Sequence, residues 1–447
     1  MSYLAVGERD QALLPMLRAL DAVDAALGQD SAYVPALFNR ALILQRLFLT
    51  KSAAAAWSRY ATADHDESWK AEAQAHRRAL SHLEDSLASR FFAQRARDRT
   101  FMLLGQWGAA IESGDRSRAA GLLGQAVALT DSLGGVRDRS ALMTVTWLRA
   151  QASRATVDPR VARGLVDLAD GIALHDRGSY EAGESVLASA ERSLREVGSP
   201  AARWAAFYRA ACEANQAKFA VSDARLQRTI REATRHEPAL VGKATWVRGV
   251  IQLRQGNYEY ANRLYEEARS LFVVAGDAMN EAAVSFLLAE GYALAGQTAA
   301  SEREAYTGLR GLAPFRRSRY LSNLLMGVAS HARESRLRLA TLDVLSEVLT
   351  VVEELRVPTT IAYVRRTRGA DLAAAGDTIQ AFSELDSAAA AAARASGTMG
   401  PRVAADVDLV RGRLLLHRDR EAARRALDHA VTTYRTINAV NALPAAL

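Results

Sequence analysis

Residues 246–268 read WVRGVIQLRQGNYEYANRLYEEA, and this stretch decides the fold. Gly249 and Gly256 lie seven residues apart, and Ala261, Tyr265 and Ala268 follow the second glycine at helical spacing. The pattern predicts two amphipathic helices joined by a Gly-Asn turn. Small residues stand where the helices must approach closely, and the ring of Tyr265 fills the remaining gap. A single hairpin of this kind cannot bury its apolar face alone, so we expect copies of it along the chain.

Copies of the pattern occur throughout the sequence. The small residue that opens the second helix of each copy sets the register, and it recurs as Ala53, Ala119, Gly183, Ser222, Ala261, Ser301, Ala340, Ala381 and Ala423. From Gly183 onward the steps are 39 to 42 residues, so the period is near 40. The two earlier steps are 66 and 64 residues, which leaves room for one extra helix in each gap.

The order of small residue, turn glycine, aromatic, small residue, aromatic and small residue resembles the tetratricopeptide repeat (TPR), whose unit is a helix–turn–helix hairpin of about 34 residues. The resemblance implies an all-α fold, an α-solenoid (right-handed superhelix) of about nine to ten hairpins. We expect one continuous solenoid with N-terminal helices over residues 1–100, irregular hairpins over 101–200 and a regular array over 201–447. Residues 198–200, Gly-Ser-Pro, are the best breakpoint. In such an array, repeats that are distant in sequence should also lie apart in space.

The N-terminal block points to a narrower family. Residues 36–42 read ALFNRAL, residues 53–60 read AAAAWSRY and residues 67–73 read ESWKAEA. These runs are similar to the repeat region of bacterial TPR proteins that end in a CHAT domain, a caspase-like cysteine protease fold. The resemblance covers only repeats, at about residues 10–440, and no His/Cys dyad of the protease is recognisable. From about Ser68 toward Arg99 the pattern predicts one long helix.

Composition limits the other classes of function. The net charge is +7 and the pI near 9.6, but Glu, Asp and apolar residues interrupt the arginine clusters at helical spacing. This pattern is typical of solvated helix faces with intrahelical ion pairs, and it does not favour a nucleic-acid partner. Cys212 is the one cysteine, so an internal disulfide is excluded, and its alanine-rich surroundings predict a buried side chain. No apolar run approaches a membrane span and no signal peptide precedes the first helix, so we expect a cytoplasmic protein.

No local motif for catalysis is present. The eight histidines form no metal-binding pattern, and the sequence contains no nucleophile elbow, P-loop or dinucleotide fingerprint. His417, Arg418 and Asp419 repeat a kinase tripeptide, but Arg424 stands where that loop needs Asn, so we expect them in the turn of the last hairpin. The sequence therefore predicts no catalytic residues, no cofactor and no metal.

The TPR resemblance implies that the first helix of each hairpin lines a groove for a protein or peptide. Most of the groove-facing candidates lie at fixed distances from the small first-helix residues Ala210, Gly249, Ala289 and Gly369. Asn39 is added because it occupies the position whose side-chain amide binds a peptide backbone in many TPR proteins. The candidates are Asn39, Trp204, Phe207, Asn215, Trp246, Val250, Arg254, Phe286, Glu290, Tyr363 and Arg366. Each aromatic residue among them could instead pack within its own hairpin.

Three other functions stay open. The array could be the sensor arm of a CHAT-type protease, which would require a His/Cys dyad beyond Leu447. It could be the regulatory module of a bacterial transcription factor, which would require an attached DNA-binding helix pair. Direct nucleic-acid binding through the arginines would show a steep dependence on salt.

Overall fold

The computed structural model describes residues 3–82, 88–133, 137–154, 156–395 and 399–437. For residues 88–94 and 399 it describes the helical backbone alone. Within these ranges all regular structure is α-helical, and there are twenty-two helices.

The helices are numbered in chain order. The first eleven are α1 (Tyr3–Asp10), α2 (Leu13–Gln29), α3 (Val34–Arg46), α4 (Thr50–Ala63), α5 (Glu67–His82), α6 (Ala88–Glu112), α7 (Arg116–Asp131), α8 (Ser140–Ala152), α9 (Pro159–Asp176), α10 (Tyr180–Glu196) and α11 (Ala202–Asn215). The others are α12 (Phe219–Glu232), α13 (Pro238–Arg254), α14 (Tyr258–Ala275), α15 (Ala278–Leu294), α16 (Thr298–Leu312), α17 (Arg319–Glu334), α18 (Arg338–Leu355), α19 (Pro358–Ala374), α20 (Thr378–Ala393), α21 (Met399–Leu415) and α22 (Arg420–Thr436).

The predicted repeat register is confirmed. Every one of the nine register residues falls within the first four residues of a second helix, from Ala53 in α4 to Ala423 in α22. The two long steps each contain the extra helix that they predict, α5 in the first and α8 in the second. The predicted long helix from Ser68 toward Arg99 is described as two helices, α5 and α6, and residues 83–87 between them lie outside the described ranges.

Close approach of the paired helices depends on the predicted small residues. In the pair α13 and α14, a Cβ atom on Gly249 would lie 2.5 Å from Cε1 of Tyr265, whose side chain is fully buried. Gly171 stands in the same relation to Leu187, and Gly412 to Leu427. The large side chain of the second helix therefore occupies the space that a first-helix side chain would need.

In most turns between paired helices, although not in the last one before α22, one residue has a positive φ. Gly256 supplies it between α13 and α14, with φ of 83°, at no steric cost. Between α11 and α12 the same position is Ala217, with φ of 59°. The backbone conformation of the turn is thus kept where the glycine is absent. His417, Arg418 and Asp419 lie in the last of these turns, as predicted, and Asp419 caps α22.

The chain divides into two compact units. The first unit contains Met1–Leu83 and Ala305–Leu447, and the second contains Glu84–Glu304. The predicted divisions after residues 100 and 200 do not coincide with these boundaries. The first unit joins the two ends of the chain because α2 and α4 pack against α18.

This packing corrects the expectation that sequence-distant repeats lie apart. Arg40 of α3 contacts Asp24 of α2 with its Nε (2.6 Å) and Asp343 of α18 with its Nη2 (2.5 Å). The backbone amides of Leu339 and Ala340, at the start of α18, donate to Oδ1 of Asp21 in α2. The N-terminal helices thus lie against a hairpin that is some 300 residues away in sequence.

The second unit has its own apolar core. One buried cluster combines residues of the helices from α6 to α13, with Trp107 and Leu165 among them. A second cluster joins α14 and α15 around Tyr265 and Phe272.

Candidate interaction surface

The structure groups five of the predicted groove residues on neighbouring helices of the second unit. Trp246, Val250 and Arg254 lie on α13, and Phe286 and Glu290 lie on α15. We call these five residues the α13–α15 patch. Its apolar members are half-buried and pack against the cluster around Tyr265 and Phe272, and the rings of Trp246 and Phe272 meet edge to face at 5.9 Å. The core therefore holds the patch residues in place while part of each remains at the surface.

The charged members of the patch lie toward the C-terminal ends of their helices. Arg254 is exposed, and its Nη1 donates to the backbone oxygen of Ala214 in α11 at 3.1 Å, beside the exposed Asn215. An arginine near a helix C-terminus is favourable because the last carbonyl groups have no partner within the helix. Asn215 uses its own amide within α11, where Nδ2 donates to the Ala211 oxygen at 2.9 Å.

Glu290 lies within electrostatic range of Arg254. Desolvation of its carboxyl group raises the pKa of Glu290, and the positive charge of Arg254 opposes that shift. Burial likewise raises the pKa of the Tyr265 hydroxyl beneath the patch. The patch thus combines two rings with one positive and one negative group.

The prediction that Trp204 and Phe207 face a partner is contradicted by their burial. Trp204 is 1% exposed and Phe207 is 5% exposed. The ring of Phe101 in α6 lies 5.4 Å from the ring of Trp204, and the guanidinium carbon of Arg97 lies 5.3 Å from it. Residues of α6 therefore cover this first-helix position, and the repeat pattern of α11 gave no sign of them.

The remaining predicted residues belong to the first unit. Tyr363 on α19 is 43% exposed, and the guanidinium carbon of Arg366 lies 4.8 Å from the centre of its ring. Nη1 of Arg366 also lies 3.5 Å from Oδ2 of Asp406 in α21. Asn39 is exposed on α3, next to the half-buried ion pairs of Arg40.

Sequence reasoning missed a buried charge cluster in the second unit. Nη1 of Arg97 lies 3.2 Å from Oδ2 of Asp138, and its Nη2 lies 3.0 Å from Oδ2 of Asp277. Burial raises the pKa of Asp138, and Arg97 counteracts that shift. Desolvation also acts on Asp277, but the positive charges of Arg97 and Lys243 outweigh it and lower the pKa of Asp277. The three residues are far apart in sequence and belong to no common motif, and Arg97 is one of several arginines in its part of α6, so no local pattern indicated the cluster.

The arginine clusters are ion-paired within one helix, as predicted, for example between Arg424 and Asp428 of α22, and also between helices. Arg333 of α17 pairs with Asp371 of α19 at 2.6 Å, and Arg411 of α21 pairs with Asp386 of α20 at 2.6 Å. Much of the positive charge is therefore used to connect neighbouring hairpins.

Cys212 is buried, as predicted. Desolvation raises the pKa of its thiol to about 12, which leaves it protonated at neutral pH. Among the described residues no group of three or more His, Cys, Asp or Glu could hold a metal ion. Within the same part of the chain, no helix is long and apolar enough to cross a membrane.

The helix pairs and their register define an all-α helical-repeat fold of the kind seen in tetratricopeptide repeat proteins. No protein-family model and no curated protein matches the chain. Among solved structures, a tetratricopeptide repeat protein from Parabacteroides merdae has 12% identity and a TM-score of 0.38, over 64% of this chain and 98% of that chain.

Two further structures are similar at the same level. The apo form of the quorum sensor NprR from B. thuringiensis has 13% identity and a TM-score of 0.45, over 71% of this chain and 97% of that chain. Yeast Tom70 has 12% identity and a TM-score of 0.42, over 97% of this chain and 82% of that chain. With each of these TM-scores below 0.5, no residue role or partner is carried over to this chain.

Proposed function

We propose that this protein is a non-catalytic interaction scaffold that binds a segment of a partner protein, or a peptide, on the α13–α15 patch. The observation that carries the proposal is the grouping of Trp246, Phe286, Arg254 and Glu290 on adjacent first helices, with the rings anchored in the core. Aromatic and arginine side chains contribute most of the binding energy in many protein interfaces.

The chemistry of the patch specifies the segment that fits it. The half-buried rings accept an apolar side chain, because covering them removes further apolar surface from water. Glu290 has a raised pKa because its carboxyl is poorly solvated, so a basic side chain of the partner placed beside it would stabilise the ionised form. The preferred segment therefore carries an apolar residue next to a lysine or arginine.

Charge reversal tests this proposal without removing a packed ring. Arg254→Glu and Glu290→Arg change the two charged groups and leave both rings in place. Arg263→Glu is the matched control because Arg263 is exposed on α14, with its guanidinium carbon 5.4 Å from the ring centre of Tyr260. Proteins that co-purify with the chain from an extract of the source cells are quantified by mass spectrometry. We expect at least a tenfold loss of the same partner in both patch variants and no loss in the control. Equal recovery with wild type and all three variants would refute the patch as the binding surface.

Tyr363 and Arg366 offer a second contact surface, on the first unit. The exposed ring of Tyr363 with an arginine above it is a typical anchor for a partner side chain. Tyr363→Ala should lower partner recovery in the same assay while the helical circular dichroism stays unchanged. Unchanged partner recovery for both Tyr363→Ala and Arg366→Ala would show that this surface does not bind the partner.

The alternative of a sensor arm for a CHAT-type protease depends on the sequence runs at 36–42, 53–60 and 67–73. Sequencing the source gene beyond the codon for Leu447 tests it directly. A following segment with a caspase-like His/Cys dyad would support it, and a stop codon there would count against it.

A further inference from the structure

Helix α6 is longer than the other first helices. It has 25 residues, compared with 17 in α13 and 18 in α9. Its first residue, Ala88, precedes the register residue Ala119 by 31 positions, whereas Pro238 precedes Ala261 by 23. The added length therefore lies at the N-terminal end of α6, before the part that pairs with α7.

This added segment leads into Arg97 and Phe101, the two residues that cover Trp204. They stand four positions apart, so both project from one face of α6. The ring of Phe101 lies 5.4 Å from the indole at a tilt of 53°, and the guanidinium group of Arg97 lies above the same indole. Trp204 is one of the first-helix positions that the repeat pattern assigns to a partner. A segment of the chain itself thus occupies that position.

The carboxylates that hold Arg97 are fixed by their own surroundings. Asp277 caps α15, where its Oδ1 accepts from the Asn280 backbone N and its Oδ2 from Asn280 Nδ2. Asp138 precedes α8, and its Oδ2 accepts from Oγ of Ser140 at 3.1 Å. The two acids therefore form an arginine pocket whose geometry does not depend on α6 alone.

The fit of α6 in this pocket leaves polar atoms unpaired. Nε of Arg97, Oδ1 of Asp138 and Nε1 of Trp204 are buried without a hydrogen-bond partner among the described residues. Each such atom costs free energy, and burying the ions costs more, so the contact stabilises the fold less than an apolar interface of equal area would.

We propose that Trp204, Asp138 and Asp277 form a docking site for a helical segment that carries an arginine and, four residues later, an aromatic residue. Arg97 and Phe101 of α6 fill the site in cis, so that a partner helix of the same chemistry binds only by displacing them. The proposal rests on the scaffold function above and adds a second, self-occupied surface to it.

A peptide of the chain's own residues 88–105, labelled with fluorescein, tests the proposal by anisotropy titration against the full chain. Wild type should bind it weakly because the cis segment competes. The full-chain variant Arg97→Ala should bind it at least tenfold more tightly. The peptide with Arg97→Ala should lose this binding, whereas the peptide with Arg99→Ala, which alters an exposed arginine, should retain it.

The full-chain variant Phe101→Ala provides a second test, because Arg97→Ala leaves two carboxylates buried without their cation. Circular dichroism establishes that each variant is folded. If folded variants bind the peptide no more tightly than wild type, or if both variants unfold, α6 is a structural clamp and the proposal is wrong. Equal binding of the Arg97→Ala and Arg99→Ala peptides would overturn the arginine pocket.

These results are separable from those on the α13–α15 patch. Peptide binding together with normal partner recovery in both Arg254→Glu and Glu290→Arg would refute the patch and leave the Trp204 site standing. If Arg254→Glu loses the partner but the peptide does not bind, the α13–α15 patch stands and the Trp204 site is refuted.

Discussion

The carboxylate of Glu347 accepts hydrogen bonds from both the backbone N and the Oγ of Ser52, each at 2.8 Å, although 295 residues separate the two in sequence. The same carboxylate accepts from the backbone N of Lys51 and lies 3.3 Å from Nη1 of Arg316. A carboxylate of α18 thus satisfies the free amides at the start of α4, where a negative charge is favourable. Asp21 of α2 does the same for the start of α18. This reciprocal capping joins the N-terminal helices to a late hairpin.

Replacement of Glu347 by alanine should destabilise the first unit strongly. The change removes three hydrogen bonds and one charge of a buried ion pair, which costs about 3–5 kcal/mol in the free energy of unfolding. Ser52→Ala removes one hydroxyl and should cost only about 1 kcal/mol. Urea unfolding followed by circular dichroism measures both. Similar losses in the two variants would show that the carboxylate does not hold α4 as described.

Asp343 should make the stability of the first unit depend on pH. Asp343 and Asp24 share the single guanidinium group of Arg40, and burial together with the neighbouring Asp24 raises the pKa of Asp343 above its ordinary value. A raised carboxyl pKa means that the folded state binds the proton more tightly than the unfolded state. Its stabilising contribution is therefore complete below about pH 4 and is lost as the pH rises through the folded-state pKa.

Asp343→Asn removes this loss because asparagine resembles the protonated acid. As the pH rises from about 4, the free energy of unfolding of the variant should increase relative to that of wild type. The difference should be about 1.4 kcal/mol for each unit by which the pKa is raised. Urea titrations at four pH values between about 4.5 and 7.5 measure the difference. A difference that stays constant over this range would contradict the raised pKa.

Gly249→Ala should destabilise the second unit because the new methyl group would lie 2.5 Å from the buried ring of Tyr265. Overpacking of this kind costs about 1–3 kcal/mol. Gly124→Ala is the matched control: Gly124 is exposed inside α7, and a Cβ atom there would contact nothing within 4 Å. The control should gain about 0.5–1 kcal/mol from the higher helix propensity of alanine. Thermal and urea unfolding compare the two, and a stable Gly249→Ala protein would mean that the helix pair is less tightly packed.

Ala217→Gly should stabilise the protein. Ala217 holds a φ of 59° in the turn before α12, a conformation that costs an L-residue about 1–2 kcal/mol and glycine almost nothing. After the greater entropy of glycine in the unfolded chain is subtracted, a gain of about 0.5–1 kcal/mol remains. Ala224→Gly, in an exposed position of α12, should instead lose about 1 kcal/mol. Urea unfolding compares the two variants with wild type, and equal losses in both would mean that the turn does not need its positive φ.

The sequence determined the repeat unit of this protein. The spacing of Gly249, Gly256, Ala261 and Tyr265 was enough to place two helices, their turn and their closest contact, because the interacting residues lie within about twenty positions of one another. The same local pattern located the other register residues, and the two long steps located the extra helices α5 and α8. The surface positions on α13 and α15 followed from the same count.

The tertiary structure alone decided what covers each hairpin. The repeat pattern is the same whether a first-helix position faces solvent or another helix, so nothing in α11 distinguished the buried Trp204 from the half-buried Trp246. The difference comes from Arg97 and Phe101 of the much earlier helix α6, which lie over Trp204. Likewise, Glu347 caps α4 through contacts across 295 residues. Such contacts depend on how whole hairpins pack together, and no local spacing of residues encodes that packing.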